Sequence, residues 1–274
     1  MCGRYLISTE VENIEMLRIL AEVNNKYFSE TQLEADPAAQ QGVSNLTINP
    51  SAQLLPSSAY TSFQCGEIFP GSWIPVRTIK SSQSYPVTLM RWGFPFVSGN
   101  KFVRSVINAR SETIHQKKMF AQLVQHNRCI IPANGFYEWD HIVPQNGDQH
   151  SGGKEDGIEE RVPSKSGTVK RKYRIIPRYP SPYRDKSFFY MAGLFNYFKA
   201  EKPPENSGLP PQPENAPYVV ILTTDASPQM KHIHNRMPVI LTAEDAKTWL
   251  SDMSIEAIIN HGLLQPWKYD LDIS

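Results

Sequence analysis

The second residue of the chain is a cysteine. Methionine is trimmed when a small residue follows it, and Cys2 is small enough. The mature chain then begins with a residue carrying both a free α-amine and a thiol. Their reference pKa values, about 7.7–8.0 and about 8.5, leave both partly deprotonated near neutrality. A 1,2-aminothiol closes a five-membered thiazolidine on an aldehyde: the amine forms a Schiff base and the thiol adds to it. Three further stretches carry groups suited to such a reaction. Asn108-Ala109-Arg110-Ser111-Glu112-Thr113 sits where a helix is expected to start, so an Asn and an Arg can face an anion beside free backbone N–H groups. Gly135-Phe136-Tyr137-Glu138-Trp139 sets a carboxylate in an aromatic strand, and an inward Glu138 gains a raised pKa suited to proton transfer. His232-Ile233-His234 follows an apolar strand, with both imidazoles on one face if extended. No Cys-x-x-Cys or third ligand at metal spacing accompanies them, so neither a metal nor another cofactor is expected.

These residues need elements to hold them. Ser8 to Ala21 reads as a helix with Val11, Ile14, Leu17 and Leu20 on one face and Ser8 or Thr9 as its cap. Ser111 to Gln125 reads as a second, with Ile114, Phe120, Leu123 and Val124 apolar and Ser111 capping. Thr242 to Leu250 opens on Thr-Ala-Glu-Asp, close to a capping box. Strands are expected at Cys129–Ile131, Phe136–Trp139, Arg174–Ile176, Phe188–Ala192, Tyr218–Leu222 and Val239–Leu241. Strands outnumber helices and do not alternate with them. The expected fold is therefore α+β: a single domain with a mostly antiparallel, barrel-like sheet and flanking helices. Two polar stretches, near 140–170 and 199–217, hold too few apolar residues to offset the entropy of ordering, and read as surface loops inserted in that domain.

Composition narrows the classes. The chain has 274 residues, 40% hydrophobic and 20% charged, which supports a core and excludes a wholly disordered or fibrous protein. No apolar run is long enough to span a membrane, and the first ten residues lack a signal-peptide core. Three scattered cysteines, Cys2, Cys65 and Cys129, make no disulfide framework. The net charge of +1 hides a strong asymmetry. Residues 1–50 hold three basic and seven acidic side chains, residues 91–139 seven basic and two acidic, and residues 164–186 eight basic and one acidic. A nearly neutral chain can thus present a cationic face to a polyanion.

Six motifs in one order are more specific than any alone: Met1-Cys2-Gly3-Arg4-Tyr5, Arg91-Trp92-Gly93-Phe94, Ile107 to Thr113, Pro132 to Trp139, Met191-Ala192-Gly193-Leu194 and Ile233 to Pro238. The series resembles the SRAP (SOS response-associated peptidase) family over nearly the whole chain apart from the two inserts. The resemblance implies a sensor of abasic sites in single-stranded DNA and at junctions with duplex, crosslinked through Cys2 to the ring-opened sugar. It implies that Asn108 positions the amino terminus and the sugar, that Glu138 moves protons, and that His234 acts at the sugar oxygen. Gly3, Arg4, Arg110 and Arg236 would contact DNA beside the lesion, and Trp92 and Gly93 would press against the bases. It also implies self-removal of Met1, a monomer, and a nuclear location, for which Lys170-Arg171-Lys172 is a weak signal. The chain reaches Ser274 soon after Pro266-Trp267-Lys268-Tyr269, where that family commonly carries a further short strand and often a tail.

Two other readings stay open on the residues. A cysteine peptidase using Cys2, His234 and Glu138 needs the thiol but not the amine. A non-covalent reader of modified cytosine needs an aromatic cage and no free amino terminus.

Overall fold

The computed structural model describes residues 3–9, 14–28, 65–78, 86–98, 101–142, 162–163, 169–179, 188–199 and 215–274. Cys2 and most of both expected inserts lie outside the described residues. Among the described residues sixteen strands dominate: β1 (Arg4–Ile7), β2 (Gly66–Ile68), β3 (Trp73–Thr78), β4 (Val87–Trp92), β5 (Phe94–Ser98), β6 (Lys101–Val106), β7 (Asn108–Arg110), β8 (Arg128–Ala133), β9 (Gly135–Ile142), β10 (Val162–Pro163), β11 (Val169–Pro177), β12 (Phe189–Lys199), β13 (Asn215–Asp225), β14 (Arg236–Pro238), β15 (Ile240–Leu241) and β16 (Leu271–Ile273). Four α-helices accompany them there: α1 (Ile14–Val23), α2 (Leu123–His126), α3 (Ala243–Trp249) and α4 (Ile255–Asn260).

β13 explains the architecture. Its sequence, Ala216-Pro-Tyr-Val-Val-Ile-Leu-Thr-Thr224, is buried at every position, so both faces meet apolar neighbours. A buried strand must also pair both backbone edges. It does so by closing a ring: β13 pairs with β4, β4 with β3, β3 with β8, β8 with β12, and β12 returns to β13. The β13–β4 pairing is parallel and the others are antiparallel. Beyond the ring, β7 continues the β4 edge of β13 and β14 continues the β12 edge. The expected barrel-like α+β sheet is found.

Alternate residues of the ring strands enter two apolar clusters, as a two-residue period requires. Leu89, Ile130, Ala192, Leu194, Val220 and Leu222 pack with Trp249 of α3 and Ile255 and Ile258 of α4. Met90, Trp92, Cys129, Ile131, Met191, Val219 and Ile221 pack instead with Tyr5, Ile7, Phe136 and Ile175 of a second sheet. That sheet runs β10-β11-β9-β1-β2, with β16 on β11. β16 is a short strand after Tyr269, within the chain. β5 and β6 form a separate two-stranded ribbon.

Asn134 alone separates β8 of the ring from β9 of the second sheet. It fixes the corner from both ends: its N–H donates to the Leu6 carbonyl (2.8 Å), and its Oδ1 accepts the Ser8 N–H (2.7 Å). The first strand is thereby locked beside β9.

Several local expectations change. The buried face of α1 is Met16, Ile19, Leu20 and Val23, while Ile14 is 62% exposed. These buried positions complete an i, i+3, i+4, i+7 stripe. Ser111 to Gln125 is not one helix. It is a 3-10 turn at Ser111–Thr113, irregular turns, and α2. Ile114, Phe120 and Val124 are all buried, and a six-residue step from Ile114 to Phe120 does not fit a 3.6-residue period. Ser111 lies inside the turn, and its N-cap residue, Arg110, makes no capping bond. The capping box before α3 is present: Asp245 N–H donates to Thr242 Oγ1 (3.1 Å), and Thr242 N–H donates to Asp245 Oδ2 (3.3 Å).

Gly193, where β12 crosses between β8 and β13, has no room for a side chain. A Cβ there would lie 2.4 Å from Ile131 Cδ1 and 3.0 Å from both Cys129 Sγ and the Val220 carbonyl oxygen. Gly193→Ala is expected to destabilise the fold by about 1–3 kcal/mol, seen as a lower denaturant midpoint. A midpoint equal to the parent's would mean that the ring relaxes there without cost.

Candidate functional site

Two short strands flank the end of β13 and carry half of the expected site. On one edge β7 pairs in parallel, Asn108 with Ile221 and Arg110 with Thr223. On the other, β14 pairs antiparallel, Pro238 with Thr223 and Arg236 with Asp225. Asn108 therefore sits on a strand and not at a helix start, because the unpaired edge of β13 claims its backbone. His232 and His234 are not in extended backbone either. Residues 228–233 make tight turns, with Ile233 and His234 N–H groups both donating to the Met230 carbonyl (2.9 and 3.0 Å). The imidazoles do not share a strand face: His232 is exposed and His234 half-buried.

His234 is oriented by its neighbour. Its Nδ1 accepts the backbone N–H of Arg236 at 2.9 Å, and the Arg236 carbonyl oxygen lies 3.2 Å from the same nitrogen. An N–H donor requires a lone pair on Nδ1, so the neutral ring carries its proton on Nε2. The Arg236 guanidinium is fully engaged at both terminal nitrogens. Nη1 donates to Glu112 Oε1 and Asp225 Oδ1 (both 2.7 Å), and Nη2 to Glu112 Oε2 (3.0 Å) and the Thr223 carbonyl (2.7 Å). Burial alone would raise the Glu112 carboxyl, but the hydrogen bond and charge of Arg236, helped by Arg110, hold it below its ordinary value. The expectation of a cation waiting for phosphate is thus not what the DNA-free protein holds at Arg236. Arg110, by contrast, is exposed.

Glu138 and Arg4 form the other half. β1 pairs with β9, Arg4 opposite Tyr137, so Glu138 lies one step beyond the end of β1, toward the start of the chain. Tyr137 and Trp139 face one side of β9. Glu138 faces the other, is 3% exposed, and lies opposite Tyr173. Burial pushes its carboxyl up to about 7, against the charge and hydrogen bond of the chain's amino terminus and a backbone bond at Trp139, which pull it down. Arg4 is half-buried. Its guanidinium sits 4.6 Å from the Phe69 ring centre and 4.7 Å from that of Trp139, and Nη1 donates to Glu67 Oε1 (2.8 Å). Lys172 Nζ donates to the other Glu67 oxygen (2.6 Å) and lies over the Tyr137 ring. Gly3 is half-buried beside Arg4.

Trp92 corrects the sequence expectation most sharply. It is 0% exposed, its indole N–H donates to the Ile107 carbonyl (3.0 Å), and its ring meets Tyr5 edge-on at 5.5 Å. In this structure its ring faces the core. The last position of β4 points it inward, and Gly93 follows at φ +112°, in a conformation that favours glycine, with a Cβ there 3.1 Å from Ser105 Cβ. Trp92 instead joins the two halves of the site, touching β1 through Tyr5 and holding the residue before Asn108. Among the described residues the exposed aromatics are others: Tyr197 (54%) on β12, Phe69 (46%), after β2, and Phe96 (36%), on the β5–β6 ribbon with Arg104 5.5 Å from its ring centre. Of these, Phe69 and Phe96 each carry an arginine against the ring. The sequence carried a signal for the second: two short runs rich in Phe and Val, Phe94 to Val97 and Phe102 to Val106, around Ser98-Gly99-Asn100.

Glu138 binds its proton more tightly in the folded chain than its ordinary value of 4.5 allows. The folded state therefore holds more protons than the unfolded between those two values, and stability falls as pH rises from about 4.5 to about 7. Glu138→Gln removes that term. Between pH 4 and pH 8 the variant is expected to gain on the parent by on the order of 3 kcal/mol, read from paired denaturant titrations. Parallel pH profiles would show that Glu138 titrates normally.

The whole chain matches a known family. Residues 1–273 match the family model described as SOS response associated peptidase (SRAP). The Abasic site processing protein YoqW of Bacillus subtilis is 32% identical over 185 residues, 66% of this chain and 64% of that protein. The Abasic site processing protein HMCES of Xenopus tropicalis is 28% identical over 168 residues, 59% of this chain and 44% of that protein. The chain thus spans less than two thirds of the length of either relative. Among crystal structures, a Bacteroides thetaiotaomicron protein superposes with a TM-score of 0.50 at 26% identity, covering 76% of each chain. A Bordetella bronchiseptica protein superposes with a TM-score of 0.56 at 18% identity, covering 100% of this chain and 98% of that one. With the motifs in order, the ring of strands in place and the family model matched from end to end, the chain belongs to the SRAP family.

Proposed function

We propose that this protein captures abasic sites in single-stranded DNA, including those beside a duplex junction, by a covalent bond from Cys2. The observation that carries the reading is the Glu138 carboxyl: buried, raised to about 7, and acted on by the charge of the chain's amino terminus. A group that gives and takes protons near neutrality is what amine–aldehyde condensation needs, and removal of Met1 moves the amino terminus that acts on Glu138 by one residue, to Cys2. The relatives' names, abasic site processing proteins, support the same substrate.

The abasic sugar rests mainly as a closed hemiacetal. His234, with its proton on Nε2, donates to the ring oxygen as its bond to C1 breaks, and the C1 hydroxyl gives up its proton to water as the aldehyde forms. The Cys2 α-amine adds to the aldehyde carbon, and water leaves as the imine forms, with Glu138 relaying the protons. The Cys2 sulfur then adds to the imine carbon, the nitrogen takes a proton, and a thiazolidine closes. Asn108 holds the sugar and the amino terminus. Removal of Met1 exposes the amine, and the same groups serve that hydrolysis.

Gly3 and Arg4 at the start of β1 and the exposed Arg110 supply contacts to phosphate and sugar. Bases stack on Phe69 and Phe96, each already seated against an arginine. Trp92 and Gly93 act behind this surface by holding its two halves together.

Two experiments test the proposal. Parent protein, Cys2→Ser and a variant with one uncleavable residue before Cys2 are mixed with abasic single-stranded DNA and run on denaturing gels. The parent gives a heat-stable adduct, Cys2→Ser only a borohydride-trappable one, and the extended protein neither. An undiminished adduct from the extended protein would favour a thiol-only reaction and overturn the thiazolidine. In anisotropy titrations Phe69→Ala and Phe96→Ala are each expected to lose about 1–3 kcal/mol of single-strand binding, and Arg110→Ala to lower the salt slope by about one unit. Unchanged binding in all three would move the DNA off this face.

A further inference from the structure

The segments bearing Asn108 and His234 lie on opposite edges of β13 and have no backbone bond to each other. Asn108 is on β7, and His234 immediately precedes β14. One contact spans the end of β13 between them. Glu112, four residues after Asn108, grips the Arg236 guanidinium through two parallel hydrogen bonds of 2.7 and 3.0 Å. A planar fork on a carboxylate fixes direction as well as distance. The other terminal N–H groups of that guanidinium reach Asp225 and the Thr223 carbonyl, the last residues of β13 itself. The clasp therefore ties β7's following turn, β13 and β14 into one unit.

The residue held by the clasp is also the one that orients the imidazole. Two backbone atoms of Arg236 lie within reach of His234 Nδ1, the N–H at 2.9 Å and the carbonyl oxygen at 3.2 Å. Neutral His234 accepts from the first, and a ring protonated at Nδ1 can turn to donate to the second. Either protonation state thus depends on where Arg236 is placed. Burial supports the arrangement: the Arg236 side chain is 11% exposed, whereas Glu112 is reached from solvent. A surface carboxylate that closes on a buried cation, next to a reacting imidazole, is placed to set geometry.

We infer that Glu112 is a positioning residue, which through Arg236 fixes the ring orientation and tautomer of His234 and its spacing from Asn108. Its importance for crosslinking rests on the reading under Proposed function; its action on the His234 ring does not. A carboxylate that served only to neutralise Arg236 would leave the ring's tautomer unchanged when removed.

The test uses the whole chain labelled with 15N-histidine, as parent, Glu112→Gln and Glu112→Ala, with His234→Asn to assign the signal. In the parent the His234 ring should show an unprotonated, acceptor-type Nδ1 and a protonated Nε2. In Glu112→Ala the two nitrogens should move toward an exchange-averaged mixture, with Glu112→Gln between. Under saturating abasic single-stranded DNA the adduct rate of Glu112→Ala should fall about 10–100-fold, while affinity for an unmodified strand stays within twofold. If Glu112→Ala does not fold, Glu112→Gln is read alone and must shift the ring signals. Unchanged His234 signals in the folded Glu112 variants would overturn the inference. If the parent forms no adduct while its His234 signals respond to Glu112, the positioning stands and the abasic-site reading falls.

Discussion

A buried strand with two polar edges is the constraint from which the rest follows. β13 is buried from Ala216 to Thr224, so neither face meets water there, and its backbone groups must find partners within the protein. Closing the ring satisfies most of one edge through β12, and on the other edge β4 pairs with Tyr218 and Val219. The final residues outrun both neighbours, and short strands complete the pairing there: β7 on one side, β14 on the other. Those two strands bring Asn108, Arg110 and Arg236 to one end of the barrel. The site is thus located where the ring's own strands run out.

The second half of the site depends on the corner at Asn134. A chain leaving β8 must turn sharply to begin β9, and Asn134 stabilises that turn by bonding to Leu6 and Ser8. This fixes the register of β1 on β9 and so sets Glu138 just past the strand's first residue. Trp92 fills the space between the halves. Its loss as a base-contacting residue is its gain as a spacer: fully buried, it transmits the position of Tyr5 to the carbonyl of Ile107.

Much of this was legible in the sequence where a pattern had a single physical meaning. The apolar run of β13, the capping box at Thr242 and the aromatic strand around Glu138 all read correctly, because burial and hydrogen bonding at those places are local matters. What was not legible depended on partners far away in the chain. Asn108 looks like a helix start until the vacant edge of β13 is known. Trp92 looks exposed among basic residues until Ile107 and Tyr5 arrive beside it. Arg236 looks like a free cation until Glu112, 124 residues away, is brought within 2.7 Å. The expected inserts near 140–170 and 199–217 fall mostly outside the described residues, and only their ends are seen.

Those ends have a consequence for how such a chain can diverge. β9 and β11 stay paired as far as Ile142 opposite Val169, and β12 and β13 as far as Lys199 opposite Asn215. Glu138 pairs with Tyr173 four steps in from the first of these ends, and the second ladder stops at Gly193 opposite Ile221, where β7 and β14 take over. Each ladder therefore holds its register from the domain's interior, away from the segment that joins its strands. Sequence added or removed in either segment leaves that register unchanged. Lineages can vary these two places in length, charge and attached partners without renegotiating the geometry of the reacting groups, and an engineered tag has the same two points of entry.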